Sequence, residues 1–150
     1  MLHLVEKNRE AYLPLLLLAD PSEVMVRRYL ATGVLYTWRS EEDETMGVLL
    51  VVELEPGKVE IKNIAVREGY QGQGFGKLLM QAVLRQLKEQ EYREVVVHTG
   101  NSSIGNFAFY QKQGFRMVGI DFDYFIREYG EPIMEDGIPC RDQIKFVRPL

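Results

Sequence analysis

Residues 66–79 read V-R-E-G-Y-Q-G-Q-G-F-G-K-L-L, so an apolar strand pattern passes through a glycine-rich loop into a helical pattern. The alternating glycines Gly72, Gly74 and Gly76 are expected to adopt positive φ and leave no Cβ that would keep a ligand away. Because the loop leads into a helix, its N–H groups lie where about half a positive charge resides and unpaired donors point outward. The loop therefore predicts a binding site for phosphate or pyrophosphate.

Two other phosphate-binding loops do not fit this sequence. A Walker A loop would require glycine at Gln71 and serine or threonine at Leu78. A dinucleotide fingerprint beginning at Gly72 and Gly74 would require a third glycine at Lys77. The alternative to a phosphate-binding loop is a flexible connector that binds no ligand. Three glycines and a lysine before an amphipathic helix favour a bound ligand.

The sequence on either side of the loop predicts an α/β domain. Strand patterns joined by polar turns predict an antiparallel meander over residues 2–5, 34–39, 46–54 and 59–66. Helices are expected at 12–19, 22–32, 75–90 and from about 103 to Gly114, with strands at 95–97, 115–120 and 144–147 and a hairpin within 124–140. This order predicts a mixed, mostly antiparallel central sheet flanked by helices.

The strand before the loop changes its hydrophobic phase. Val59 and Ile61 lie on one face of a regular strand, whereas Ile64 and Val66 lie on the other. Burial of both faces or a β-bulge explains such a change. The bulge is favoured, because bulges often lie beside active sites.

The composition excludes several classes of protein. The chain has 150 residues, of which 46% are apolar and 27% charged, and this predicts one domain over residues 1–150 and excludes disorder as the main state. The charge of −4, from 18 basic and 22 acidic residues, argues against a nucleic-acid partner. No apolar run reaches the ~20 residues that a bilayer requires, so no membrane partner is expected.

The sequence also predicts a cytoplasmic, metal-free protein. Residues 1–10 lack a basic region followed by an apolar segment and a cleavage site. Cys140 is the single cysteine and has no clustered partner for a zinc site. His3 and His98 do not have metal-binding spacing.

Three motifs together resemble a known superfamily. Gln71-x-x-Gly74-x-Gly76 is similar to [QR]-x-x-G-x-[GA], the acetyl-CoA loop of the GNAT acyltransferases. N-I-A-V-x-x-x-Y at 63–70 resembles the strand and loop that precede it there, and A-F-Y-Q-K-Q-G-F at 108–115 resembles the second signature. The resemblance covers residues 45–120, and the segments 121–125 and 135–142 look like a subfamily of small bacterial acetyltransferases.

The resemblance implies a site for acetyl-CoA as cosubstrate, without a metal. The main-chain amides of one segment would hold the CoA pyrophosphate: Gln71, Gly72, Gln73, Gly74, Phe75, Gly76 and Lys77. The main chain of Ile64, Ala65 and Val66 would pair with the pantetheine arm like an extra strand. Asn106 and Tyr110, one helical turn apart, would face the thioester. The family commonly has asparagine where this chain has Ser103, with Asn101 displaced, so Asn106 is taken as the substitute.

Acetylation of an amine by a thioester needs a neutral amine, a donor for the carbonyl oxygen and a proton for the leaving thiolate. Tyr110 is the candidate acid, and its alternative role is that of a tyrosine at the edge of the core. The main-chain N–H near Val66 is the expected carbonyl donor. Glu60 is the candidate base through a water, with a solvated strand charge as the alternative, and Asp121 and Asp123 are further candidates.

These observations predict a cytoplasmic N-acetyltransferase that transfers the acetyl group directly to a primary amine of a small molecule or peptide. A non-catalytic module that binds or senses acyl-CoA is the alternative. Six acids between residues 121 and 136 could attract a cationic amine or simply form a soluble surface. The sequence leaves open whether the chain forms a homodimer.

Overall fold

The computed structural model describes all 150 residues, and they form two compact units. The first unit comprises Met1–Arg93 with Leu150, and the second comprises Glu94–Pro149. No helix combines the length and the apolar character needed to cross a membrane. The single domain and the cytoplasmic location stay predictions.

The first unit contains the predicted antiparallel meander. Its four strands follow one another in space in sequence order: β1 (Leu2–Val5), β2 (Val34–Arg39), β3 (Thr45–Glu55) and β4 (Lys58–Val66). β3 is buried on both faces over most of its length, as its run of apolar residues predicts.

Three helices complete the first unit: α1 (Leu13–Leu16), α2 (Glu23–Thr32) and α3 (Phe75–Glu89). The helix predicted at 12–19 is shorter than expected, since a 3-10 turn at Arg9–Tyr12 precedes α1 and the chain leaves helical geometry before Pro21. α2 begins as predicted, because the Ser22 hydroxyl accepts a hydrogen bond from the Met25 N–H at 3.3 Å.

The helices pack on opposite faces of the meander. Val48 belongs to the core that α1 and α2 form with one face, which also contains Leu16 and Val26. The adjacent Gly47 faces the other side, where a Cβ would lie 3.4 Å from the Leu79 side chain of α3. Helical periodicity predicts a buried stripe on α3 made of Phe75, Leu78, Leu79, Ala82, Val83 and Leu87. The prediction is correct only in part, because Leu78 is 42% exposed. The buried residues of α3 are Leu79, Met80, Val83, Leu84 and Leu87.

The predicted β-bulge lies at Lys62. Leu50 of β3 is opposite Asn63, but the next residue, Val51, is opposite Ile61, so Lys62 has no partner. The extra residue brings Glu60, opposite Val52, onto the same face of β4 as Asn63. This is the face that α1 and α2 cover.

The second unit is a three-stranded antiparallel arrangement with helices. Its elements are β5 (Glu94–Gly100), α4 (Ile104–Lys112), β6 (Arg116–Asp121), α5 (Tyr124–Tyr129), β7 (Met134–Glu135), β8 (Ile138–Pro139) and β9 (Gln143–Pro149). The strand order is β5-β9-β6, and β7 and β8 form a separate short hairpin.

The hairpin predicted within 124–140 is correct only in its second half. Residues 124–129 form α5, which ends at Gly130 with φ 71°. Phe125 and Tyr129, four residues apart, have ring centroids 5.2 Å apart. This aromatic pair along one helical face stabilises a helix at a place where the predicted hairpin required a strand.

Candidate active site

Three glycines of the loop before α3 have positive φ. The angles are 94° at Gly69, 75° at Gly72 and 86° at Gly74. A Cβ added at any of them would meet no atom within 4 Å, so the backbone conformation and not crowding favours glycine here. The expectation for Gly76 is wrong, because this residue lies in the first turn of α3, where φ is negative.

The loop presents main-chain donors at the start of α3. Gly74 is the N-cap residue, and the first helical hydrogen bond runs from the Leu78 N–H to the Gly74 carbonyl at 3.1 Å. The N–H groups of Phe75, Gly76 and Lys77 therefore have no acceptor within the helix. Such donors, together with the helix dipole, suit a pyrophosphate.

Side chains hold the loop against the meander. The Arg67 guanidinium donates to the Thr45 carbonyl at 2.7 Å, and the Tyr70 hydroxyl donates to Glu44. The Tyr70 ring also contacts the Phe75 ring edge to face, at 5.9 Å between centroids. The hydrogen bond to Glu44 raises the pKa of Tyr70 above its ordinary value, because the carboxylate accepts from the protonated hydroxyl.

The main chain of Val66 faces the edge of β4 that lies away from β3. The Arg67 N–H donates to the Met46 carbonyl of β3 at 2.8 Å, and main-chain groups of successive strand residues point to opposite edges. By the same alternation, the main-chain N–H and C=O groups of Ile64 also point to the edge away from β3. Those of Ala65 point towards β3. The Val66 carbonyl accepts a hydrogen bond from the Gln71 side chain at 2.9 Å.

Glu60 is the only buried carboxylate of the protein. The residue is 6% exposed, and one of its carboxylate oxygens lies 3.3 Å from the Lys62 ammonium group. The alternative role of Glu60, that of a solvated charge on the strand surface, does not agree with this burial. The other candidate bases are exposed and paired, Asp121 with Arg127 and Asp123 with Arg141.

Asn63 is a buried polar residue of this face that none of the sequence patterns assigns to the site. Its side-chain amide donates to the Leu16 carbonyl at 2.9 Å and to the Tyr29 hydroxyl at 2.8 Å. Since the Leu16 carbonyl can only accept, these bonds fix the orientation of the amide, and its Oδ1 atom is buried without a partner. The sequence feature that could identify Asn63 is its position at the start of N-I-A-V, where a polar residue stands in an otherwise apolar strand.

In the second unit, Tyr110 lies in an aromatic environment on α4. It is 6% exposed, and its ring centroid lies 5.8 Å from that of Phe115 and 5.5 Å from that of Phe146. Burial raises the pKa of Tyr110 to about 12. The hydroxyl is therefore protonated throughout the neutral range.

The asparagines near Tyr110 have different partners. The Asn106 amide donates to the Thr99 hydroxyl of β5 at 3.0 Å. Asn101 accepts from the main-chain N–H groups of Arg141 and Asp142 and donates to the Pro139 carbonyl, so it holds the chain between β8 and β9. No group of three or more metal-binding side chains is present in either unit.

Comparison with known proteins agrees with this geometry. A family model described as the acetyltransferase (GNAT) family matches residues 5–115. The uncharacterized N-acetyltransferase YvbK of Bacillus subtilis is 45% identical over 97% of this chain and 92% of its own length.

Two solved structures extend the similarity to the whole fold. A GNAT family acetyltransferase from Elizabethkingia anophelis with acetyl-CoA bound has a TM-score of 0.95 and 39% identity, covering 100% of this chain and 97% of that one. A Bacillus subtilis acetyltransferase in complex with CoA has a TM-score of 0.92 and 42% identity, covering 99% and 97%.

The chain belongs to the GNAT family of acetyltransferases. The predicted fold, an α/β fold with a mixed, mostly antiparallel sheet flanked by helices, is confirmed. The predicted class of enzyme, an acetyl-CoA-dependent N-acetyltransferase, is also confirmed.

Proposed function

We propose that the enzyme transfers the acetyl group of acetyl-CoA directly to a primary amine of a small molecule or peptide in the cytoplasm. The observation that carries this proposal is the row of main-chain donors at the start of α3, beside the outward-facing main chain of Val66. The donors at the start of α3 would hold the pyrophosphate, and the main chain of Val66 would pair with the pantetheine arm. Acetyl-CoA supplies the activated acyl group.

Two groups would act on the thioester. The Val66 N–H lies on the edge of β4 away from β3, where it can donate to the carbonyl oxygen as negative charge develops. The Tyr110 hydroxyl, whose pKa burial raises to about 12 from an ordinary value of 10.0, would donate to the sulfur as the thiolate leaves. Asn106, one turn earlier on α4, would orient the same end of the cosubstrate.

The amine would bind at the polar part of the face that α1 and α2 cover. Glu60 is the buried carboxylate there, and it would take the proton from the amine directly or through a water. The buried Oδ1 atom of Asn63 is an acceptor that an N–H donor of the substrate or a water would satisfy. A carboxylate and an amide oxygen are both hydrogen-bond acceptors, and an amine can donate to both.

An acceptor screen tests the proposal. Purified enzyme with acetyl-CoA is offered polyamines, aminoglycosides, amino acids and peptides, and release of the free CoA thiol is recorded. With the best acceptor, Glu60→Gln should lower kcat by about 10²–10⁴-fold. The matched control Glu53→Gln, which removes an exposed carboxylate from β3, should leave kcat unchanged.

One outcome would overturn the proposal, and a second would overturn the role given to Glu60. Tight acetyl-CoA binding without turnover on any acceptor would favour the acyl-CoA-binding module. Equal activity of Glu60→Gln and Glu53→Gln, with unchanged melting temperatures, would remove Glu60 from the reaction.

A further inference from the structure

β6 is an edge strand whose side chains are all exposed. It pairs with β9 on one side and is the last strand in the order β5-β9-β6. Its apolar residues Met117, Val118 and Ile120 are 50%, 57% and 55% exposed, and Phe122, directly after it, is 67% exposed. An exposed apolar edge strand is a template for pairing with another chain.

The face of each β6 residue is set by a bulge at Val118. Met117 is opposite Phe146 and Gly119 is opposite the adjacent Lys145, so Val118 has no partner in β9. A bulge commonly discourages edge pairing. In β6, however, it brings Arg116 and Asp121, at the two ends of the strand, onto the same face of the sheet.

The same shift makes β6 complementary to itself. We take Val118 to be left out of the new ladder, as it is left out of the ladder with β9. When two copies of β6 then run antiparallel about a two-fold axis at Gly119, Arg116 of each copy is opposite Asp121 of the other. Met117 is then opposite Ile120, and both lie on the second face. Each contact occurs twice, as a closed two-fold interface requires.

The charges within the chain are compatible with this pairing. Asp121 holds the Arg127 guanidinium at 2.9 Å, but both side chains are half-exposed and the carboxylate can accept further hydrogen bonds. Arg116 forms no ion pair within the chain. A second copy would therefore supply Arg116 with a carboxylate and cover the apolar residues of the strand.

We propose that β6 is the interface of a homodimer, with the two strands antiparallel about Gly119 and Arg116 of each copy paired with Asp121 of the other. The self-complementary order of charge, apolar residue and glycine selects a second copy of this chain over an unrelated partner. Exposed Phe122 and Ile126 would extend the buried apolar surface beyond the strand.

Sedimentation equilibrium over a range of protein concentrations tests the proposal with single charge reversals. The wild type should be dimeric, and Arg116→Glu and Asp121→Arg should each weaken the dimer by roughly tenfold or more, because two attractive pairs become repulsive. An equimolar mixture of the two variants should recover the association. In that mixture the introduced glutamate of one copy faces the introduced arginine of the other, while the native Arg116 and Asp121 form the second pair.

Arg85→Glu is the matched control, since it makes the same charge change on the exposed surface of α3. It should leave the association unchanged, and melting temperatures confirm that each variant is folded. A monomeric wild type, a dimer equally sensitive to Arg116→Glu and Arg85→Glu, or a mixture that fails to associate would each overturn the proposal. The oligomeric state is measured without a substrate, so the result is independent of the acetyl-transfer proposal.

Discussion

At Tyr110, burial extends the pH range over which the hydroxyl keeps the proton that a catalytic acid needs. Helical periodicity places the residue at the edge of the apolar stripe of α4, but it does not reveal that Phe109, Phe115 and Phe146 surround the ring. Those rings desolvate the hydroxyl, and loss of hydration disfavours the phenolate. The hydroxyl therefore stays a neutral donor to higher pH than an exposed tyrosine would.

Tyr110→Phe removes this donor and keeps the ring. If the hydroxyl donates to the departing thiolate, kcat should fall by about 10²–10⁴-fold while KM for acetyl-CoA stays nearly constant. Steady-state kinetics with a good acceptor, under conditions where chemistry limits the rate, measures the effect. Tyr92→Phe, at a half-buried tyrosine of the first unit, is the control.

The pH dependence of kcat gives a second test of the role of Tyr110. Because burial raises the pKa of Tyr110 to about 12 from an ordinary value of 10.0, the hydroxyl keeps its proton until the pH approaches the higher value. The wild-type kcat should therefore show no alkaline loss due to Tyr110 below about pH 10. An alkaline loss in that range that disappears in Tyr110→Phe would contradict the assignment.

At the scale of single elements, the glycine loop follows from its sequence more closely than any other segment. Positive φ at Gly72 and Gly74 was predicted because glycine adopts this conformation at little cost. The alternation of glycines includes Gly76 and leaves out Gly69, whereas the structure has positive φ at Gly69 and not at Gly76. The reason is that alternation alone cannot locate the first residue of α3. The helical periodicity begins at Phe75, and that boundary makes Gly74 the N-cap.

Gly74→Glu places a carboxylate where the pyrophosphate is expected to bind. Affinity for acetyl-CoA, measured by calorimetry, should fall below detection while the fold is kept. Gly137→Glu in the β7–β8 turn is a close control, because Gly137 has φ 78° and a Cβ there also meets no atom within 4 Å. Both variants carry the same backbone strain and charge, so equal affinities would show that the phosphates bind elsewhere.

At the scale of the whole molecule, the sequence predicts a single domain, and the chain contains two compact units. Each unit has a unique probe: Trp38 is the only tryptophan and lies in the first, and Cys140 is the only cysteine and lies in the second. Fluorescence of Trp38 and labelling of the Cys140 thiol therefore follow the two units separately.

Urea unfolding should give coincident midpoints for both probes, as a cooperative domain requires. Acetyl-CoA at about 100 times its Kd should raise the free energy of unfolding by roughly 2.7 kcal/mol at both probes. NADH at the same concentration serves as the control and should produce a smaller shift. Separate midpoints, or a shift with NADH that exceeds the shift with acetyl-CoA, would contradict the prediction.

The sequence by itself determined the glycine loop, the helix that follows it, the meander and the bulge in β4. These features depend on backbone freedom and on hydrophobic periods within a few residues, which can be read directly. Only the tertiary structure decided that Glu60 is buried, that Asn63 keeps an unpaired oxygen and that Asn101 holds a loop. Those properties depend on contacts between distant positions, 47 residues apart for Asn63 and Leu16 and 40 for Asn101 and Arg141, and no local pattern records them.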